Sequence, residues 1–360
     1  MKRIGIIGCG NISGTYLKNL TELFSDRIEI AGICDLIPEK EQSRAKQYGI
    51  SKIYEDCNEL FADPTVDIVM NLTRPIEHFN ISVAALNSGK HVYTEKPLGV
   101  SFDEGMKLRN LAKSKKLLIG GAPDTFLGAG LQTCRKLIDD GHIGDVIGAS
   151  AFMTGRGPES WHPDPEFFYK FGGGPMLDMG PYYITALISL LGAVKCITGA
   201  ARASFPTRLI TSQPKDGTIM QVDVPTHYTG IMEFVTGAIG TITTSFDIHA
   251  AELPRIEIYG SDGTINVPDP NYFGGPIRVW KPDCGSFVEV PLQFKYEENS
   301  RGLGLYDMVC HIEDGAPFRA SGDLLFHALE VMTGFERAYK NRAFVDMTTA
   351  PNRPEAMVQV

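Results

Sequence analysis

The sequence predicts an α/β protein of two domains, in which a doubly wound parallel sheet precedes an α+β domain with a large, mostly antiparallel open sheet. Three observations predict this fold class. A glycine-rich turn at residues 8–13 lies between a strand pattern and a helix pattern. Strand and helix patterns then alternate to about residue 122, as in parallel βαβ units. From residue 194 to about 292 the chain becomes a series of strands separated by hairpin turns.

The first half alternates strongly apolar runs with helical spacing. Continuous apolar runs are typical of strands buried on both faces, and they predict strands at Arg3–Ile7, Ile28–Cys34, Val66–Leu72, His91–Thr94 and Leu117–Ile119. Apolar spacing of the helical kind predicts helices at Ile12–Leu23, Pro38–Tyr48, His78–Ser88 and Phe102–Ser114. Gly89 is suited to end the third of these helices in the left-handed conformation.

The second half combines helices with hairpins. We expect helices at Leu131–Asp139, from the glycine run at Gly172 to Gly192, at Asp307–Glu313 and at Leu324–Tyr339. Turn residues predict hairpins at Phe234–Ile242 and Ile256–Val267. These strands favour an antiparallel sheet with helices on one face and the other face open to a partner.

Composition suits a soluble globular enzyme of about two domains and excludes two kinds of partner. The 360 residues carry a net charge of −9, which argues against a nucleic-acid surface because no basic stripe exists to neutralise phosphates. No apolar run approaches the roughly 20 residues needed to span a bilayer. Gly8 and Gly10 interrupt the segment after Lys2 and Arg3 before a signal-peptide core develops. We therefore expect a cytoplasmic protein that binds neither membrane nor nucleic acid.

The cysteines form no recognisable framework. There are seven, at Cys9, Cys34, Cys57, Cys134, Cys196, Cys284 and Cys310. None forms a CxxC pair or lies at zinc-ligand spacing with histidine. We expect reduced thiols, no structural metal and no disulfide.

The turn GCGNIS, which begins at Gly8, has the context of a dinucleotide fingerprint because it follows a strand and opens a helix. Gly8 permits the tight turn, and Gly10 lets a pyrophosphate approach the N–H groups and positive dipole of the helix N-terminus. Ser13 replaces the third glycine and is small enough for close packing. We predict cofactor contacts from Gly8, Gly10, Asn11 and Ile12. A turn that only connects strand and helix is the alternative.

Asp35 ends the second predicted strand, a little beyond the roughly 20-residue spacing of the acid that binds ribose hydroxyls. Its charge would repel a 2′-phosphate, and no arginine follows immediately to attract one. The sequence therefore favours NAD over NADP. An aspartate that caps a helix or is merely solvated is the alternative.

Lys96 follows the fourth predicted strand and precedes Pro97, which cannot continue a strand ladder. In a doubly wound sheet the carboxyl ends of the strands line the ligand crevice. A cation at this position can hydrogen-bond a substrate hydroxyl and stabilise the alkoxide that develops as hydride departs. The alternative is a surface lysine at a strand end.

Asp178 and Tyr182 lie four residues apart in a predicted helix and so share one face. Thr185 returns to that face, whereas Tyr183 is turned away. A tyrosine pKa near 10 is too high for a base at neutral pH, and a neighbouring lysine cation would lower it. We predict a Lys96–Tyr182 acid/base pair, with Asp178 orienting the substrate or a partner. Tyr182 as an ordinary core residue is the alternative.

Together, three segments resemble the Gfo/Idh/MocA oxidoreductases. They are the turn at residues 8–13, the stretch Gly89–Leu98 with its Glu-Lys-Pro run, and the helix Gly172–Gly192. The resemblance spans nearly the whole chain and implies that Lys96 is catalytic. It also implies further cofactor contacts from Leu72, Thr73, His78, Glu95 and Lys96.

The same resemblance implies an N-terminal Rossmann domain at residues 1–122 and a substrate-binding domain at residues 123–297. Helices from residues 298–360 would pack back on the Rossmann domain. The open sheet commonly forms a homodimer or homotetramer in this family.

The helix motif departs from the usual DxGxHxxD of the family. Asp178 and Gly180 match, but Tyr182 stands at the histidine and Thr185 at the second aspartate. This resembles the tyrosine branch, which includes glucose–fructose oxidoreductase and dimeric dihydrodiol dehydrogenase, and it weakens inositol as the substrate. A shifted proline also alters the usual Thr-Pro-Asn-x-x-His segment between Thr73 and His78.

Five weaker candidates have structural alternatives. Trp161 and His162, in an aromatic-rich loop, could line a sugar-sized pocket or simply pack the loop. His249 could contact substrate or end a strand with its bonds satisfied. Asp124 could approach nicotinamide or substrate or cap a helix, and Arg156 could contact a substrate anion or be solvated.

We predict an NAD-dependent dehydrogenase acting on a secondary alcohol of a sugar, polyol or cyclitol-like compound. One rival is an enzyme that uses NAD transiently for net epimerisation, elimination or glycoside cleavage. The other is a non-catalytic ligand sensor on the same fold. The sequence does not name the substrate, because pocket loops determine it.

Overall fold

The computed structural model describes residues 1–283 and 285–359, so Cys284 lies outside the described residues. The chain divides into two compact units, made of residues 1–127 with 298–326 and of residues 128–297 with 327–360. The first unit contains the predicted parallel sheet and the second contains the large, mostly antiparallel sheet. The predicted fold class is therefore confirmed.

The sheet of the first unit has five parallel strands in the order β2-β1-β3-β4-β5. The strands are β1 (Lys2–Ile7), β2 (Ile28–Cys34), β3 (Ile68–Asn71), β4 (His91–Thr94) and β5 (Ile119–Gly121). Their apolar runs are buried because helices cover the sheet, and Ile4, Ile6 and Ile68 have no exposed surface. β5 begins two residues later than predicted.

Five helices connect these strands. They are α1 (Ser13–Glu22), α2 (Pro38–Tyr48), α3 (Cys57–Ala62), α4 (His78–Asn87) and α5 (Phe102–Lys115). The sequence did not predict α3, which is too short for its periodicity to stand out; the Asp56 carboxylate caps it by accepting the Glu59 N–H at 2.9 Å. Gly89, with φ of +81°, adopts the expected left-handed conformation after α4.

The large sheet of the second unit has nine strands in the order β15-β14-β13-β12-β6-β11-β10-β7-β16. They are β6 (Val146–Thr154), β7 (Val194–Arg202), β10 (His227–Phe234), β11 (Ile239–Ser245), β12 (Ile256–Gly260), β13 (Thr264–Val267), β14 (Ile277–Trp280), β15 (Phe287–Val290) and β16 (Val345–Asp346). Both predicted hairpins form, across residues 235–238 and 261–263. β6 was not predicted, and it pairs in parallel with β11, which makes the sheet mixed.

A separate hairpin of β8 (Thr207–Leu209) and β9 (Ile219–Gln221) lies outside the large sheet. It shares a small core with residues 158–169, here called the aromatic segment, which precede the helix α7 (Pro175–Asp178). The buried members of this core are Phe168, Tyr169, Ile210, Met220 and Phe246.

The helix predicted from Gly172 to Gly192 is wrong as a single element. The segment instead forms two helices, α7 (Pro175–Asp178) and α8 (Gly180–Leu191). The predicted helix before them forms as α6 (Ala129–Asp139). Pro181 in the first turn of α8 lacks an N–H and cannot bond back into α7. All twelve residues of α8 are buried, so it is a core helix of this unit.

The C-terminal helices are α9 (Leu303–Asp314) and α10 (Gly322–Asn341), and the boundary between the units falls within α10. The expectation that residues 298–360 all pack on the first domain is corrected, because residues 327–360 belong to the second unit. There β16 pairs with β7 and extends the large sheet. Among the described residues, no helix has the length and apolarity to cross a membrane.

Candidate active site

The turn after β1 needs glycine at Gly8 for two reasons. Its φ is +101°, in the left-handed region, and a Cβ there would lie 2.6 Å from the Leu72 carbonyl oxygen. The Gly8 N–H donates to the Cys34 carbonyl at 2.9 Å, which ties the turn to the end of β2. The turn is therefore fixed between the ends of β2 and β3.

Gly10 faces open space instead. No described atom lies within 4 Å of the position that a Cβ would take there. Ile12 stands at the N-cap of α1, and in the described part of the chain no side chain caps this helix. The first-turn N–H groups and open backbone fit the pyrophosphate of a dinucleotide.

Asp35 follows β2 with both carboxylate oxygens engaged by the backbone. Oδ2 accepts the Cys9 N–H at 2.6 Å and Oδ1 accepts the Ile37 N–H at 2.9 Å. These bonds hold the carboxylate against the pyrophosphate turn while each oxygen keeps a further acceptor site. The position suits the ribose-binding acid.

Arg44 is a residue that the sequence analysis missed. It lies in α2, yet Nη2 donates to the Gly10 carbonyl at 3.2 Å and Nε donates to Ser13 Oγ at 3.1 Å. A cation therefore lies beside the turn although no arginine follows Asp35 closely in sequence. Only the packing of α2 on α1 brings it there, so the linear motif gave no signal.

Glu95 fixes the backbone from which Lys96 projects. Its buried carboxylate accepts the Tyr16 hydroxyl at 2.6 Å on Oε1 and the Lys96 N–H at 3.0 Å on Oε2. Its own N–H donates to the Asn71 carbonyl at 2.8 Å. Because Tyr16 lies in α1, the helix of the pyrophosphate turn and the lysine loop are held together. Burial, and secondarily the Glu95 charge, raises the pKa of Tyr16 and keeps its hydroxyl protonated.

His78 joins the loops that follow β3 and β4. Its ring is fully buried, with Nδ1 lying 2.7 Å from the Pro97 carbonyl oxygen and Nε2 lying 3.0 Å from that of Thr73. Burial lowers its pKa, although the contacts with the two carbonyl oxygens oppose this shift. Its place near Lys96 agrees with the family resemblance, and its bonds give it a supporting role.

Asp124 is placed differently from the substrate-contact prediction. It is 1% exposed, and Oδ2 accepts the N–H groups of Gly302 and Gly304 at 2.8 and 3.0 Å, where α9 begins. Tyr93 donates its hydroxyl to the same oxygen at 3.2 Å. The structure thus supports the helix-cap alternative that the sequence left open. Burial raises the pKa of Asp124 despite these bonds.

The α7–α8 segment carries the predicted proton-transfer residues. Asp178 is half-buried at the end of α7, and Tyr182 is 7% exposed in the first turn of α8. The break at Met179 means that their four-residue spacing does not run along one continuous helix. Thr185 is buried, and its hydroxyl has no hydrogen-bond partner within residues 1–283 and 285–359.

Trp161 and His162 lie in the aromatic segment before α7. Trp161 is 67% exposed, and its ring contacts the His162 ring edge-on at 5.4 Å between centroids. The His162 ring also meets Phe168 edge-on at 5.1 Å. In this cluster the exposed Trp161 ring lies against the packed rings of His162 and Phe168.

A buried ion network fixes this segment, and the sequence analysis missed it. Arg208 on β8 donates from Nη1 to Glu159 Oε1 at 2.8 Å and from Nη2 to the Asp247 carboxylate. All three side chains are less than a tenth exposed. Tyr169 donates its hydroxyl to Glu159, and Thr226 donates to Asp247 at 2.7 Å. Arg208 thus meets two acids that lie 49 positions before it and 39 positions after it in the sequence.

The hairpin of β8 and β9 also binds the aromatic segment directly. The Thr211 N–H donates to the Glu159 carbonyl at 2.9 Å, and Ser212 Oγ donates to the His162 carbonyl at 2.5 Å. Lys215 forms ion pairs with Asp164 at 2.6 Å and Glu166 at 2.7 Å. Trp161 is therefore exposed but held on a fixed backbone.

Two weaker candidates meet beside this network. Arg156 Nη1 lies 3.4 Å from His249 Nε2, and Arg156 Nη2 lies 3.8 Å from Glu159 Oε1. The structure thus groups Arg156 and His249 at the base of the aromatic segment. Lys96 belongs to the first unit, whereas Asp178 and Tyr182 belong to the second.

Two protein-family models match the chain. The model described as "Oxidoreductase family, NAD-binding Rossmann fold" covers residues 2–121, and the GFO/IDH/MocA C-terminal domain covers residues 131–266. The relatives include an uncharacterized oxidoreductase of Schizosaccharomyces pombe, 26% identical over 78% of this chain and 84% of the relative. Myo-inositol 2-dehydrogenase of Thermotoga maritima is 26% identical over 73% of this chain and 74% of the relative.

Solved structures share the fold over 97% of this chain. An NAD-binding oxidoreductase from Klebsiella pneumoniae matches with a TM-score of 0.83 at 20% identity, covering 97% of this chain and 99% of that one. Levoglucosan dehydrogenase in complex with NADH and levoglucosan matches with a TM-score of 0.83 at 19% identity, covering 97% of this chain and 100% of that one. At this identity the likeness concerns the fold.

Proposed function

Because the chain belongs to the Gfo/Idh/MocA family of NAD-binding oxidoreductases, we propose that it is an NAD-dependent dehydrogenase acting on a secondary alcohol of a sugar, polyol or cyclitol-like substrate. The relatives named as inositol and sugar dehydrogenases support this substrate class. Tyr182 at the histidine position of the family motif supports the tyrosine branch.

One observation carries the proposal most directly. The buried Glu95 binds both the hydroxyl of Tyr16, on the helix of the pyrophosphate turn, and the N–H of Lys96. The lysine is therefore built into the same frame as the cofactor turn. A surface lysine at a strand end would not need a buried carboxylate at its base.

In the proposed reaction Tyr182 accepts the proton of the substrate hydroxyl at its Oη. The Lys96 cation lowers the pKa of that phenol and stabilises the developing alkoxide, since a positive charge favours both anions. Asp178 orients the hydroxyl that reacts. NAD, when bound, supplies the hydride acceptor. Trp161 offers an aromatic face to the apolar side of a sugar ring, with His162 and His249 as polar contacts.

The variants Lys96→Met and Tyr182→Phe test the pair. We expect kcat/KM to fall by about 10²–10⁴-fold in each, as for loss of a general acid/base, while NAD binding persists. Substrates for this test are to be identified by a thermal-shift screen of sugars and polyols in saturating NAD. NADH formation with each hit is then measured by absorbance. Tyr183→Phe is the matched control because that tyrosine is adjacent and outside the proposed pair. Turnover at the wild-type rate in both test variants would contradict the assignment of Lys96 and Tyr182. Product formation without net NADH formation would indicate transient redox chemistry.

The open sheet face supports a homodimer or homotetramer. Exposed apolar side chains stand on neighbouring strands of the large sheet, among them Ile231 on β10 and Ile239 on β11. Such a patch is typical of a protein interface. Light scattering of the wild type and of Ile239→Glu measures the state directly, and we expect the variant to dissociate.

A further inference from the structure

Two thiols touch at the edge of the cofactor site, and nothing in the proposed reaction uses them. The Sγ atoms of Cys34 and Cys57 lie 3.7 Å apart. Cys34 is the last residue of β2 and is buried, whereas Cys57 is the first residue of α3 and is partly exposed. One sulfur is therefore within reach of solvent and the other directly behind it.

Backbone contacts keep the two sulfurs adjacent. The Tyr54 N–H donates to the Ile33 carbonyl at 2.9 Å, and the Ile33 N–H donates to the Lys52 carbonyl at 3.2 Å. Ile33 and Ile53 form a parallel bridge, so residues 52–54 run beside the end of β2. The thiol contact thus follows from main-chain pairing.

The pair is chemically asymmetric. The hydrogen bond between the two thiols lowers the pKa of Cys57, whereas the same bond and burial raise the pKa of Cys34. The thiolate is the nucleophilic form of cysteine. Cys57 is thus the attacking sulfur, and Cys34 is the thiol that resolves the product.

Cys34 also holds the pyrophosphate turn. Its carbonyl accepts the Gly8 N–H at 2.9 Å, and the next residue, Asp35, accepts the Cys9 N–H at 2.6 Å. A disulfide needs the sulfurs at about 2.05 Å and restricts the Cα separation, so forming it restrains the end of β2 and the start of α3 relative to each other. That restraint acts on the segment whose carbonyl and carboxylate hold the turn.

We propose that Cys34 and Cys57 form a reversible disulfide under hydroperoxides and that this disulfide weakens NAD binding. The Cys57 thiolate attacks the peroxide oxygen, which gives a sulfenic acid and releases an alcohol or water. The Cys34 sulfur then displaces the sulfenic oxygen as water. Overall, two thiols lose two electrons and two protons while one hydroperoxide is reduced. This proposal departs from the expectation of reduced thiols and no disulfide, although both thiols are free in the structure.

The test uses the full chain and hydrogen peroxide. NAD affinity is measured by calorimetry for protein that is reduced, oxidised, and oxidised then treated with dithiothreitol, and peptide mass spectrometry identifies the crosslink. We expect a Cys34–Cys57 linkage and a Kd about tenfold higher on oxidation, the equivalent of one or two hydrogen bonds, with recovery on reduction. Because the reduced protein is measured first, failure of the NAD site itself would be seen separately.

Cys57→Ser is expected to bind NAD like the reduced wild type and to ignore peroxide. Cys310→Ser is the matched control, because Cys310 is another partly exposed thiol of the same unit, and this variant should keep the response. Absence of the crosslink, a crosslink with unchanged Kd, or equal peroxide sensitivity in both variants would each overturn the proposal. The wild-type crosslink and its effect on the Kd decide the matter together, even if a variant folds poorly.

Discussion

The pyrophosphate turn of the first unit and the aromatic segment of the second are built in opposite ways. The turn takes its conformation from residues close in sequence, with Gly8 at φ +101° and Gly10 open to space, and Cys34 and Asp35 anchor it. The aromatic segment depends on Glu159, Arg208 and Asp247, which are distant in sequence and meet only in the folded chain. A cofactor shared by many enzymes is thus held by a local motif, and the proposed substrate side by long-range packing.

The largest effect should come from breaking the distant network. Arg208→Met leaves the buried Asp247 carboxylate without its cation and the Glu159 carboxylate with Arg156 at 3.8 Å, so we expect a loss of about 3–5 kcal/mol in unfolding free energy. Urea denaturation measures it. The triple variant Arg208→Met, Glu159→Gln, Asp247→Asn removes the stranded charges and should recover part of the loss. A single variant as stable as wild type would contradict the network's role.

Glu330 sharpens the comparison because it is another buried carboxylate of the second unit that holds a distant segment. It accepts the N–H and hydroxyl groups of Thr348 and Thr349 at 2.6 to 3.1 Å. These bonds and the His327 ring hold its pKa at about 2, below the ordinary 4.5, although burial opposes them. The carboxylate thus stabilises the fold above about pH 4.5, and this contribution is lost as pH falls toward 2.

We therefore expect the stability difference between wild type and Glu330→Gln to shrink as pH falls from 5 to 3. The full contribution is about 3 kcal/mol, and glutamine does not titrate in this range. Urea denaturation across the pH range gives the difference. A stability difference that stays constant with pH would show that the charge of the Glu330 carboxylate does not hold Thr348 and Thr349 in place.

The smallest effects should distinguish the two glycines of the turn. Gly8→Ala places a Cβ 2.6 Å from the Leu72 carbonyl in a left-handed conformation, so we expect it to lower unfolding free energy by about 1–3 kcal/mol. Gly10→Ala meets no described atom and should leave stability within about 1 kcal/mol, while its methyl group obstructs the pyrophosphate. Denaturation and NAD calorimetry separate the two. Equal effects on stability would contradict this division.

The contrast between local and long-range contacts also explains which elements the sequence could predict. The strands and helices of the first unit, the turn and the Lys96 loop all follow from local spacing, and the structure bears out their positions as elements. The helix α3 escaped because six residues carry too little periodicity. The role of Asp124 as a cap for α9 required knowledge of a contact 178 residues away.

The second unit was predicted less well for a physical reason. The strand β6 pairs with β11 and β12, which lie about a hundred residues later, and its small residues at Gly148, Ala149 and Ser150 resemble a loop in isolation. The break before α8 depends on Pro181. This proline lies in the first turn of α8, where proline is favoured, but it cannot continue the helix that precedes it. The partners of Arg208 cannot be chosen from sequence, because many acids precede and follow it.

The two-residue strand β16 has a consequence for how copies of the chain meet one another in solution. A long unpaired strand at a sheet edge is a template for adding another chain. Here one edge ends in Val345–Asp346 beside β7, and the other is the four-residue β15, which carries Glu289. β16 pairs with Ile197 and Cys196 of the nine-residue β7, so it covers part of that edge. We expect this C-terminal segment to limit the addition of other copies along the sheet edge.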